Sequence, residues 1–515
     1  MRYLLFVMLT GSLGFCQLEL PSLISDNMVV QQSSSVKLWG RGSGEITIKT
    51  GWGGQTVKTR ADENGKWQAQ IKTPAAGKSW NMTIADADGS VEIQNVTPGE
   101  IWLCSGQSNM QFPMLRDEHY KLHKSESNPD IRFFTVEPDT SETPMENCGG
   151  RWQECTPETL STFSAVGYYF GKLLHANTGY PIGLIDNSWG GTPAEAWTKV
   201  SVLENDERFV SILEEDKVIL ANQDKYQKEY DQMLEQWGRE VEDAKKLGKR
   251  PPSKPFPPFG LRPQNRAGRL YNAMLHPLMP YTIKGAIWYQ GESNSGRARQ
   301  YASLFPAMIN NWRDDWGQGD FPFYFVQLTN YLKNDPQTVY PLWPQVAEPG
   351  PSSWAELRES QFKTLSLPST AMAVTIDIGM PYDIHPKNKL DVGYRLGLAA
   401  LAKEYGFDDI VYSGPLYKGY KLEGEKIRIS FEHTAAGLSF HADAAKGFQI
   451  AGRDQEFVWA EAEIDGDTVL VYSDKVAEPA AVRYGWSDWT YANLFNSEGL
   501  PASPFRTDDW GYTTK

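Results

Sequence analysis

The sequence predicts an α/β protein with a parallel sheet and crossover helices, flanked on both sides by antiparallel β regions. Three observations carry this. After Pro98-Gly99, short apolar runs alternate with longer segments of helical spacing, the pattern of strands that need a crossover to run parallel. Before that point, and again past Phe407, polarity alternates with period two between Gly, Asn and Asp turns. A chain of 515 residues exceeds what one hydrophobic core usually supports, so several units are expected.

Residues 1–16 open with Arg2, continue through an apolar centre and end in small residues around Cys16-Gln17, a secretory leader pattern with cleavage before Gln17. A secreted or periplasmic protein follows as the expectation. Phe15 is too bulky for the position before a lipid-modified cysteine, which disfavours an anchor at Cys16. No later stretch approaches the ~20 apolar residues of a membrane span.

Residues 17–98 form a small antiparallel β domain, with hairpin turns at Asn64-Gly65 and Asp88-Gly89. Residues 99–405 carry the parallel sheet, with strands expected at 101–104, 181–185, 283–289, 321–328 and 372–378. Helices fall at 164–175, 299–312, 355–365 and 388–404. Within this unit, about 202–265 reads as a charged helical insertion whose proline-rich return at 251–258 is stiff; its charge run is a solvated face. Residues 406–515 return to alternation at 426–431, 447–450, 468–472 and 481–484, giving a second β region.

A formal charge of −14 argues against a basic face for nucleic acid or an anionic membrane. Eighteen Trp and twenty-four Tyr exceed what a core of this size needs, and such rings commonly stack on sugars. After loss of the leader three cysteines remain. Cys148 and Cys155 are close enough in sequence for a disulfide in an oxidising compartment, and Cys104, in a strand, is expected to be buried and free.

Chemistry concentrates in four stretches, each in a loop after the carboxyl end of a strand, where α/β sheets place ligands. In Ser105-Gly-Gln-Ser-Asn-Met110 the apolar run stops at Ser108, a hydroxyl positioned as a nucleophile. In Asp186-Asn-Ser-Trp-Gly-Gly-Thr192, Gly190 and Gly191 let the backbone approach a ligand and offer N–H groups. In Trp288-Tyr-Gln-Gly-Glu-Ser-Asn294, Gln290 and Asn294 are amide donors for an oxyanion. In Asp383-Ile-His-Pro386, His385 is the base candidate and Asp383 the acid that orients it, with Asp377 in reserve. A metal reading finds only His119 and His123, four apart, with no intervening Glu and no third ligand.

These four blocks, in this order, resemble the sialate O-acetylesterase family of the SGNH hydrolase superfamily. The likeness extends over most of the chain and includes Phe325-Val-Gln-Leu328 and the closing 496–507 segment. The resemblance implies a flavodoxin-like SGNH domain with flanking β-sandwich-like regions. It also implies hydrolysis of acetyl esters on a carbohydrate, without metal or cofactor. Ser108 would then be the nucleophile, His385 the base and Asp383 the acid. Ser108, Gly190, Gly191, Gln290 and Asn294 would supply the oxyanion donors. Asp383 precedes His385 by two residues, where many SGNH enzymes have three, so a Ser-His pair helped by a backbone carbonyl is an alternative. An ordinary α/β hydrolase would carry Gly-x-Ser-x-Gly, and Met110 stands in the last position.

Sialate is the favoured substrate, with Arg297, just after the third block, as the partner for its carboxylate. The alternatives are an acetylxylan or other plant-polysaccharide acetylesterase, and a carbohydrate-binding protein that retains an inactive hydrolase fold.

Overall fold

The computed structural model describes residues 18–333, 344–442 and 444–514. The expected leader at 1–16 lies outside the described residues.

One strand, Ser90–Gly106, organises the molecule. Its first half pairs antiparallel with Trp80–Ala85 of the N-terminal β region, and Val29–Gln31 runs parallel to Thr97–Gly99. Its second half is buried without interruption and lies inside the large sheet. Pro98 and Gly99, where the sequence pattern changes, therefore sit inside a continuous strand. Across the sheet the order is Thr370–Val374, Phe323–Gln327, Gly285–Tyr289, Ser90–Gly106, Ile182–Ser188, Asn128–Thr135 and Trp152–Cys155. All neighbours are parallel except the last pair. The five expected strands are thus present. Asn128–Thr135 and Trp152–Cys155, at one edge, were not anticipated from the sequence.

The helices cover both faces. Phe323 and Phe325 meet Phe305 of the Ala298–Trp316 helix, whereas Tyr324 between them donates to Glu404 of the Leu390–Glu404 helix. Side chains alternate across a strand, so the two helices lie on opposite sides of the sheet. Ala165–Thr178, capped by the Ser164 hydroxyl on the Gly167 N–H, shares the face of Leu390–Glu404; a Cβ at Gly393 would lie 2.7 Å from Tyr169 Cβ, which shows how closely the two pack. Ser353–Lys363 shares the other face, its Ser360 hydroxyl donating to the Ala298 carbonyl at 2.8 Å. From the central Ser90–Gly106 strand the chain builds one side of the sheet first and then crosses to the other. A crevice therefore opens at the carboxyl end of that strand.

The charged insertion is helical. Its Gln223–Lys246 helix buries none of its residues, and the proline-rich return folds back along it, accepting from Trp237 Nε1 at the Pro252 carbonyl, 2.9 Å away.

The expected disulfide is corrected: Cys104, Cys148 and Cys155 are all free and buried. Gly149 accepts from the Glu137 N–H at one end of the Asn128–Thr135 strand, and Cys155 pairs with Asn128 at the other. A chain extended over that span separates the two sulfurs by roughly 20 Å, far beyond the ~7 Å Cα separation a disulfide tolerates. Burial pushes the Cys148 thiol up to about 12 and the Cys155 thiol to about 11.

The C-terminal β region has its own core around Ile427, Ile429, Phe448, Val469 and Tyr484. It contains a four-stranded antiparallel sheet of Leu416–Glu423, Lys426–Glu432, Thr468–Tyr472 and Glu461–Asp465. It docks on the Ser353–Lys363 helix. The fully buried Arg358 donates to the carbonyls of Leu328, Gly485, Ser487 and Asp488, and Arg506 pairs with Glu359.

Candidate active site

Gly106 ends the central strand at φ +137, and a Cβ there would lie 2.2 Å from the Tyr289 carbonyl oxygen. Only glycine fits such an approach. The Gln107 N–H donates to that same oxygen, and Met110 and Gln111 N–H groups return to the Gln107 carbonyl, closing one tight turn. Ser108 sits on the turn, half-buried between buried Gln107 and Asn109.

His385 comes from the loop after the Thr370–Val374 strand. Its Nε2 lies 2.8 Å from Ser108 Oγ, although 277 residues separate the two. Asn109 ties the two loops together. Its Nδ2 donates to the Ile384 carbonyl at 3.0 Å and to Glu292 Oε1 at 2.5 Å, while its Oδ1 accepts from Lys389 Nζ at 2.6 Å. Lys389 also lies over the rings of Phe112 and Tyr289, and its N–H donates to Asp117. Burial pushes the Lys389 ammonium down to about 7 and raises the Glu292 carboxyl. This Lys-Asn-Glu bridge was not visible in the sequence, although Glu292 and Lys389 stand two residues from Gln290 and four from His385.

Asp383 is placed less tightly. Its Oδ1 accepts the backbone N–H of His385 at 2.9 Å and stands 3.7 Å from His385 Nδ1, an ion-pair separation rather than a hydrogen bond. The reserve acid, Asp377, is corrected: Arg395 grips both its oxygens at 2.7 Å. His385 is held below its ordinary value, first by burial and then by the charges of Lys389 and Arg116, with Asp383 opposing.

Gly190 abuts the serine, since a Cβ on it would lie 3.2 Å from Ser108 Cβ. Its N–H donates to Gln111 Oε1 at 2.9 Å. The Ser108 N–H has no partner among the described residues. Gly191 has φ +75 and is exposed.

Gln290 and Asn294, the amide donors expected from the third block, make no hydrogen bond to Ser108 among the described residues. Both are buried, and buried amides must be satisfied nearby. Gln290 Nε2 donates to Asn294 Oδ1 at 2.6 Å and to the Thr192 carbonyl at 3.3 Å, and Asn294 Nδ2 donates to Glu195 at 2.9 Å. Arg297, expected as the partner of a substrate carboxylate, is ion-paired with Glu195 and donates to Gln300.

His119 and His123 face Asp117 and Glu126, and among the described residues no group of three potential metal ligands is present. A cavity of about 470 Å³ opens over Ser108 and His385, lined also by Gln111, Phe112, Pro113, Leu115, Arg116 and Thr162. Among the described residues no helix is long and apolar enough to cross a membrane.

The family described as carbohydrate esterase, sialic acid-specific acetylesterase, matches residues 262–389, which span the third and fourth blocks. The sialate O-acetylesterase of Rattus norvegicus is 29% identical, over 94% of this chain and 93% of its own length. That of Homo sapiens is 28% identical, over 96% and 93%. The crystal structure of a carbohydrate acetylesterase from Xanthomonas citri matches with a TM-score of 0.79 and 36% identity, over 96% of this chain and all of that one. With Ser108 and His385 hydrogen-bonded at the head of its parallel sheet and relatives aligned along nearly its whole length, the chain belongs to the sialate O-acetylesterase family of carbohydrate esterases.

Proposed function

We propose that the protein is a secreted carbohydrate O-acetylesterase with a flavodoxin-like SGNH core flanked by two β-sandwich-like domains. Its favoured substrate is O-acetylated sialate. The observation that carries the chemistry is the 2.8 Å approach of His385 Nε2 to Ser108 Oγ beside two backbone N–H groups. The domain units are 17–98, 99–405 and 406–515, and the leader pattern at 1–16 supports export.

With the ring neutral and its proton on Nδ1, facing Asp383, the Ser108 hydroxyl donates to Nε2. Oγ attacks the acetyl carbon as Nε2 takes its proton. The carbonyl oxygen becomes an oxyanion and accepts from the N–H groups of Ser108 and Gly190, displacing Gln111 Oε1, which occupies that place in the free protein. Gly191 extends the donor set. The bond to the sugar oxygen breaks, and the leaving alkoxide takes the proton from Nε2. Water then attacks acetyl-Ser108, again giving its proton to Nε2; the serine leaves with that proton and acetate is released. Asp383 stabilises the imidazolium across 3.7 Å without becoming protonated. All groups that act in this sequence are the chain's own.

Acetate release by folded Ser108→Ala protein tests this reading: it should be nearly abolished, and turnover close to wild type would refute it.

A further inference from the structure

We propose that Arg116 is the anion subsite of this active site, where its guanidinium receives the carboxylate of an O-acetylated sugar acid. This rests on the reading of Ser108 as an esterase nucleophile and names the residue by which the site would recognise an acid.

Arg116 lines the same cavity as Ser108 and His385, and no Asp or Glu lines it. It is exposed, and among the described residues no carboxylate pairs with it. That sets it apart from the neighbouring arginines. Arg297 is satisfied by Glu195 and Arg395 by Asp377. In a chain with 64 acidic and 50 basic residues, an arginine without a carboxylate in the substrate cavity is an unfilled position.

The guanidinium is also mounted rather than free to wander. It stacks over the buried Phe112 ring at 4.8 Å. It ends the short Met114–Arg116 turn, which the Met114 N–H fixes to the Phe163 carbonyl at 2.9 Å. Stacking leaves the edge of the planar group open, and that edge presents the paired donors that match a carboxylate. Phe112, Pro113 and Leu115 give the same cavity an apolar wall, suited to the carbon skeleton of a sugar acid whose ester lies away from its carboxylate. The charge of Arg116 is near enough to oppose protonation of His385. A neutral acetylated sugar has no group that needs this cation.

The test compares acetate release by the full chain from 9-O-acetyl-N-acetylneuraminic acid and from its uncharged C1 carboxamide, at one pH. The wild type is expected to show a KM for the acid at least tenfold below that for the amide. Arg116→Ala should bring the ratio near one by raising KM for the acid about ten- to a hundredfold, with kcat for the acid changed far less. Arg116→Lys should recover part of the preference, and both variants should melt like the wild type. A wild type that treats acid and amide alike overturns the subsite, as does an Arg116→Ala variant that keeps the preference. Rapid hydrolysis of p-nitrophenyl acetate and acetylated xylo-oligosaccharides without preference for the acid also overturns it, yet leaves the esterase reading standing. If none of these esters releases acetate, the esterase reading itself fails.

Discussion

In the proposed mechanism His385 is the base, and its surroundings set both its pH range and its reliance on Asp383. Burial and the nearby cations Lys389 and Arg116 favour the neutral ring. The base acts only when unprotonated, and a lowered pKa means that the proton is lost at lower pH. The acid limb of kcat/KM should therefore have its midpoint below the ~6.5 of an unperturbed histidine. A pH-rate profile on a neutral ester checks this, and a midpoint above the ~6.5 of an unperturbed histidine would contradict it. Asp383 stands 3.7 Å from Nδ1 and its side chain is 39% exposed, so water screens the pair. Asp383→Asn should lower kcat about tenfold. That is far less than the roughly ten-thousandfold cost of disabling a directly hydrogen-bonded triad acid, and a loss of that larger size would show that the carboxylate closes on the ring during turnover.

At the scale of elements, the site depends on loops that others hold in place. The Phe323–Gln327 strand leads into Leu328 and Thr329, whose carbonyls accept from Arg358, and the same guanidinium reaches Gly485, Ser487 and Asp488 in the C-terminal region. Its burial lowers its pKa to about 9, so the charge is sustained by these carbonyls rather than by water. Arg358→Met keeps much of the volume but strands several buried acceptors, at a cost of about 3 kcal/mol. It should lower the melting temperature and make the 406–515 region open to protease before the rest of the chain. A variant that melts and digests like the wild type would show that the two units are held together by other contacts.

For the molecule as a whole, legibility followed how each residue is satisfied. The five parallel strands read plainly because a sheet covered on both faces leaves only apolar runs. The blocks at Ser108 and His385 read plainly because polar residues directly after such runs face the crevice. The strand Asn128–Thr135, next to the sheet edge, was missed because Arg132 interrupts it. That arginine is 2% exposed and donates to the carbonyls of Asn27, Asn95 and Pro129, partners that no local pattern reveals. The same physics hid Lys389, which is buried, and Glu292, which is partly buried; both bond to Asn109. It also hid the partners of Arg297 and Gln290, which lie in the 192–195 segment about a hundred residues earlier.

The central claim is that Ser108 and His385 act as one nucleophilic pair. It is tested most directly by the kcat for acetate release of Ser108→Ala, His385→Ala and the double variant, each first shown to melt like the wild type. Residues acting as a unit are not additive, so each single variant should lose about a thousandfold or more and the double variant little beyond that. Near-normal turnover in either single variant, or losses that multiply in the double, would contradict the account.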